Sequence, residues 1–142
     1  MRVRVLIACL VALGVVPALA LAGASAGTKT LTTTMLGSKE VPKGAPKGSG
    51  KAVITLNASK GTVCWTFSSV KGIDKVTASH IHKAPAGKSG NVVVPFFAGT
   101  LKTKGCVKAA KSLITAIAKS PSAYYVNIHT IKYPAGAIRG QL

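Results

Sequence analysis

Beyond Gly27 the apolar residues of this chain recur at every second position, and that period constrains its fold most. Ala52, Ile54 and Leu56 alternate with Lys51, Val53 and Thr55. Val63, Trp65 and Phe67 alternate with Cys64, Thr66 and Ser68, and Ser122 to Thr130 alternates again. Successive strand side chains point to opposite faces, so such segments read as half-buried strands. Asn91 to Phe97 reads as a short strand of the buried type. Turn signals punctuate the runs: Ser59-Lys60-Gly61, Ala84-Pro85-Ala86-Gly87, Lys88-Ser89-Gly90 and Tyr133-Pro134-Ala135-Gly136. One segment departs from the pattern. Ala109 to Ser120 carries Leu113, Ile114 and Ile117 at helical spacing, and Pro121 ends it. The glycine, proline and lysine of Lys43 to Lys51 read as a flexible basic loop. The expectation is all-β: an antiparallel Greek-key β-sandwich with one short helix.

The alternation begins only after a different kind of segment. Arg2 and Arg4 precede an apolar run from Val5 to Val16, and Ala18-Leu19-Ala20 and Ala24-Ser25-Ala26 are small-x-small cleavage sites. Residues 1–26 therefore read as a signal peptide, and 27–142 as one domain of a secreted or extracytoplasmic protein. Pro17 ends the run too early for a retained anchor, and no later run is long and apolar enough to span a bilayer. Cleavage removes Cys9 and leaves Cys64 and Cys106. In an exported domain these two are expected to form one disulfide, with two buried free thiols as the alternative.

Charge excludes several chemistries. The sequence has 19 Lys plus Arg against 2 Asp plus Glu, a formal charge of +17. Removal of Arg2 and Arg4 with the signal leaves +15. Glu40 and Asp74 are the whole side-chain carboxylate supply. A two-carboxylate hydrolase would need both, and a calcium site takes about 6–8 oxygen ligands, usually several of them acidic. No Gly-x-Ser-x-Gly elbow lies within residues 27–142. Asn57-Ala58-Ser59 fits a glycosylation sequon, a triplet that also arises often by chance. Arg139 is the only arginine after the signal, so sequence-specific nucleic-acid recognition is not expected. Dispersed lysines suit non-specific attraction to anionic cell-envelope polymers or lipid headgroups, or a merely solvated surface.

The three histidines are the chemically informative residues. His80 and His82 are two apart in Ala78-Ser79-His80-Ile81-His82. On a strand this puts both rings on one face, about 6–7 Å apart, with Ile81 towards the core. His129 sits in Tyr125-Val126-Asn127-Ile128-His129, with Val126 and Ile128 on the opposite face. If the two strands are neighbours, three imidazoles converge into a candidate site for Cu(II), or for Zn(II), with a position open to water or substrate. Ligating histidines usually donate their second N–H to a carboxylate or a carbonyl. With so few carboxylates, backbone carbonyls must serve most of that role. Glu40 is expected either to pair with Arg139 or to hold a histidine ring.

Five segments in order carry a resemblance. Leu36-Gly37-Ser38-Lys39-Glu40-Val41-Pro42, His80-Ile81-His82, Gly87 to Val94, Tyr124 to Thr130, and Tyr133 to Leu142 together resemble the CHRD domain, from about Thr30 to the C-terminus. A fainter similarity is to copper/zinc superoxide dismutases, whose Greek-key sandwiches carry a His-x-His and a later histidine as copper ligands. His80, His82 and His129 look like those three, and Arg139 is similar to the arginine that guides the anion. The bridging histidine and the zinc cluster of those enzymes have no counterpart here. The resemblances imply a superoxide-dismutase-like or immunoglobulin-like sandwich. They imply a binding module with a copper site, a copper-dependent oxidoreductase acting on superoxide, or a structural envelope protein without metal.

Overall fold

A computed structural model describes residues 27–142, so the signal peptide expected at 1–26 lies outside the described residues. The strands are β1 (Thr28–Leu36), β2 (Ser49–Asn57), β3 (Thr62–Lys71), β4 (Val76–Lys83), β5 (Val92–Ala98), β6 (Lys104–Lys108), β7 (Tyr124–Thr130) and β8 (Ile138–Gln141). The period-two segments form β2, β3 and β7, the buried-type run forms β5 and the His-x-His segment lies in β4, whereas sequence reading found no signal for β1 and β6. The helical segment forms α1 (Lys111–Lys119) between β6 and β7. Pro121, which lacks an N–H to continue the helix, opens a 3-10 turn over Pro121–Ala123 that leads into β7. Lys29 Nζ donates to Ala118 O at 2.5 Å, a cation on the last turn of α1 where unpaired carbonyls concentrate negative charge.

All eight strands join one antiparallel sheet in the order β5-β4-β7-β8-β1-β2-β3-β6. The sheet curls, and its two ends, β5 and β6, approach each other without strand pairing. Around the curl, β6, β5 and β4 follow one another with β3 returning beside β6, a Greek key. The expected sandwich is thus present with its two layers as halves of one sheet. They are joined where Leu36 of β1 pairs with Arg139 of β8.

Alternation decides what lies between the layers. Ile54, Leu56, Val63 and Trp65 from one half meet Ile81, Val94, Val126 and Ile128 from the other. Ile114 and Ile117 of α1 are fully buried in the same cluster. Each large aliphatic side chain removed from water contributes roughly 1.5–3 kcal/mol. Trp65 stacks on Phe96 at 4.6 Å between centroids and donates its indole N–H to Lys102 O at 2.9 Å. Gly105 opposite Trp65 permits this, because a Cβ there would lie 2.4 Å from the indole.

Cys64 and Cys106 are direct cross-strand partners in β3 and β6, and they form the expected disulfide. The segment Lys43 to Lys51 departs from the flexible loop expected. Gly44 N donates to Gly37 O at 2.9 Å, Ala45 N to Ala137 O at 2.9 Å and Gly37 N to Gly48 O at 3.1 Å, and Ser49 onward is already β2. Its small residues allow close backbone packing, and Ala45 is buried. Composition reported flexibility where the chain uses glycine for proximity.

Candidate metal centre

The register of three strands builds one polar row on the outer face of the β4-β7-β8 half. His80 pairs with Asn127, and Asn127 with Arg139; His82 pairs with Tyr125, and Tyr125 with Gln141. His129 lies opposite Ala78, two residues from His80 and on its face. Ile81, Val126, Ile128 and Ile138 point the other way into the core. The apolar residues therefore fix the register, and the register brings the histidines together.

One ring nitrogen from each of His80, His82 and His129 lies within 4.8 Å of the others. Ring centroids are 5.5 Å apart for His80 and His82, 4.9 Å for His80 and His129, and 5.8 Å for His82 and His129. His82 is buried, while His80 and His129 are half-buried.

Backbone carbonyls set the tautomers, as the shortage of acids required. His82 Nδ1 lies 2.9 Å from Gly90 O, and His129 Nδ1 lies 2.9 Å from Pro134 O. A carbonyl only accepts, so both rings carry a proton on Nδ1 and a neutral ring then holds its lone pair on Nε2. His82 Nε2 and His80 Nδ1 are buried with no hydrogen-bond partner. Buried polar atoms in folded proteins are nearly always paired, so two unpartnered nitrogens in one cluster are donors whose chemistry fits a cation. His129 Nε2 faces Asn127 Oδ1 at 3.0 Å. A neutral ring protonated on Nδ1 has no hydrogen to give that oxygen. The same amide's Nδ2 lies on the Glu40 side, where it favours the carboxylate form, so Oδ1 and the Nε2 lone pair face each other as two acceptors.

Burial sets the charge state. The His80 pKa is lowered to about 4, first by burial and then by the neighbouring charges of His129 and His82. The His129 pKa is also lowered, mainly by burial, against the raising effect of its bond to Pro134. Rings that resist protonation stay available as ligands in mildly acidic solution.

Glu40 and Arg139 lie around this cluster rather than in it. Glu40 is 4 % exposed, and burial raises its pKa to about 7 against the lowering effects of Asn127, Arg139 and the Val41 backbone. Its Oε1 has no hydrogen-bond partner. Gly136 packs on the carboxyl: a Cβ there would lie 2.3 Å from Oε1, and φ of +139° already favours glycine. Glu40 lies near enough to Arg139 for the two charges to favour each other, and it also lies beside the amide of Asn127, which in turn faces His129. Arg139 is 1 % exposed. It donates to Lys88 O at 2.7 Å, Pro85 O at 2.9 Å and Gln141 Oε1 at 2.9 Å. Its guanidinium lies 3.4 Å from the centroid of Tyr125, whose ring also stacks on His82 at 4.7 Å with planes 6° apart. A loop carbonyl clamp thus reaches His82 through Tyr125.

Sequence reading missed Tyr125, Asn127 and Gln141, although the period supplies them. Tyr125 and Asn127 stand four and two residues before His129, and Gln141 two after Arg139, all on the face already assigned. The carbonyl partners Gly90 and Pro134 had no such signal, because a backbone acceptor exists at every residue.

No curated protein and no solved structure matches the chain. The family model described as CHRD domain matches residues 31–142, which include every residue of the cluster, and the chain therefore belongs to the CHRD domain family.

Proposed function

We propose that this protein is an extracytoplasmic CHRD-domain binding module that holds a copper ion on His80, His82 and His129, with zinc as the alternative metal. The observation that carries the reading is the pair of buried, unpartnered nitrogens, His80 Nδ1 and His82 Nε2, beside a third ring whose Nδ1 is committed to Pro134 O. Three neutral imidazoles and no carboxylate ligand suit Cu(II) or Zn(II). When bound, the ion supplies a Lewis-acid centre, and for copper a redox-active one. The chain supplies fixed tautomers, a sheet that sets ring spacing, and a half-buried His80 through which ligands reach the site.

The rival reading is a copper-dependent oxidoreductase acting on superoxide, with Arg139 steering the anion. Against it, Arg139 is buried and its guanidinium is engaged by loop oxygens and Tyr125, so an incoming anion finds no free side there. A binding role asks less of that residue. The lysine-dominated surface attracts anionic polymers or lipid headgroups of the cell envelope. Copper titration of purified protein tests the metal: one equivalent should bind at neutral pH, and none should bind tightly to H82A. A superoxide-decay assay on the copper-loaded protein tests the rival, with no acceleration above free copper expected.

A further inference from the structure

Metal chemistry occupies one half of the sheet; the outer face of the other half has a different and regular character. Cross-strand register through β1, β2, β3 and β6 places Thr30, Thr55, Cys64 and Cys106 in one row and Thr32, Val53, Thr66 and Lys104 in the next. Flanking rows end in Lys108 and contain Lys51. Thr30, Thr32, Thr66, Lys51, Lys104 and Lys108 are exposed. Strands lie about 4.8 Å apart and same-face residues about 6–7 Å apart along them, so these hydroxyls and ammonium groups form a shallow lattice. The disulfide lies within the lattice and ties the short edge strand β6 to β3. No acid belongs to these strands: Glu40 is buried by the other half, and Asp74 lies between β3 and β4, accepting from the Lys132 N–H.

We propose that this face binds an acidic polysaccharide laid across the strands, its carboxylates on Lys51, Lys104 and Lys108 and its hydroxyls on the threonine rows. The inference deepens the polymer-binding part of the function above and rests on that part alone. Charge complementarity selects an anion. Other anionic partners fit less well. The face has no arginine and no exposed aromatic ring on which bases could stack. The exposed large apolar residues Val41, Val92 and Ile131 all lie outside these strands, so the face offers a bilayer nothing to insert and a protein partner no apolar centre.

Binding of the full mature chain to polygalacturonate at 0.15 M salt tests this, with dextran as a neutral control and double-stranded DNA as a second polyanion. The triple variant Lys51→Gln, Lys104→Gln, Lys108→Gln should weaken polygalacturonate binding at least tenfold. The charge-matched triple Lys43→Gln, Lys75→Gln, Lys132→Gln should weaken it less than threefold. Thr30→Val with Thr32→Val should weaken it severalfold at unchanged charge and unchanged circular dichroism. Equal losses from the two lysine triples, or no loss from the threonine variant, overturns the assignment to this face while leaving charge-driven polymer binding intact. No binding to polygalacturonate overturns both. Tighter binding to DNA than to polygalacturonate overturns the choice of partner.

Discussion

Burial of ionisable side chains gives this chain its residue-scale signature. In the unfolded chain His80 titrates near 6.5, and in the fold near 4. Between these values the unfolded state binds the proton first, so this contribution to stability is present above pH 6.5 and is lost as pH falls towards 4. An NMR titration of metal-free protein should find the His80 ring neutral down to about pH 4; a midpoint near 6.5 would contradict the burial described. Glu40 has the opposite sign of linkage. Its carboxyl titrates near 4.5 unfolded and near 7 folded, so its cost to stability grows from pH 4.5 to 7 and is complete above 7. Glu40→Gln should match wild type near pH 4 and exceed it at pH 8, by about 3 kcal/mol, in paired thermal melts. A variant no more stable at pH 8 than at pH 4, relative to wild type, would show that Glu40 ionises freely. The histidine trio was legible because period two places His80, His82 and His129 without any knowledge of loops. Glu40 was singled out for its rarity and Arg139 was read as a partner, but Gly136 and Asn127 beside it were not legible, because they depend on how Gly136 packs across the 37–48 segment.

At the scale of elements, most strands were legible, but β1 and β6 and the closure of the sheet were not. The apolar alternation of β2, β3 and β7 appears directly in the sequence, and Pro121 marks where α1 stops. β8 was read only as part of the family resemblance, because four residues are too short for a period to declare itself. The 43–51 segment was misread because glycine and lysine have the same composition in a free linker and in a tightly hydrogen-bonded turn. The edge strand β6 has five residues, and the disulfide ties it to β3. Replacing Cys64 and Cys106 together by alanine should cost about 2–4 kcal/mol, given a sequence separation of 42. Amide exchange should rise in β6 far more than in β4 or β7. Uniform acceleration across the sheet would mean that the bridge stabilises through the unfolded chain alone. Gly136→Ala should displace the Glu40 carboxyl and lower copper affinity roughly 10-fold, the lower end of the range for residues behind the ligands. Unchanged affinity in a folded variant would detach Glu40 and Asn127 from the site.

For the whole molecule, one curled sheet presents two outer faces of different chemistry. The β4-β7-β8 half carries the nitrogen donors on its outer face, and the β1-β2-β3-β6 half carries the hydroxyl and lysine lattice. Neither half depends on an acidic residue for contact with a ligand, which suits a chain with only two. The extracytoplasmic role proposed above predicts that N-terminal sequencing of protein from the extracytoplasmic fraction begins at Gly27. An intact Met1 in that fraction would replace cleavage with anchoring. The measurement that bears most directly on the account is an anomalous-difference map from crystals grown with copper. A single strong peak about 2 Å from His80 Nδ1, His82 Nε2 and His129 Nε2 is the predicted result. A map without a peak among the three rings, or with copper only at scattered surface positions, would contradict it.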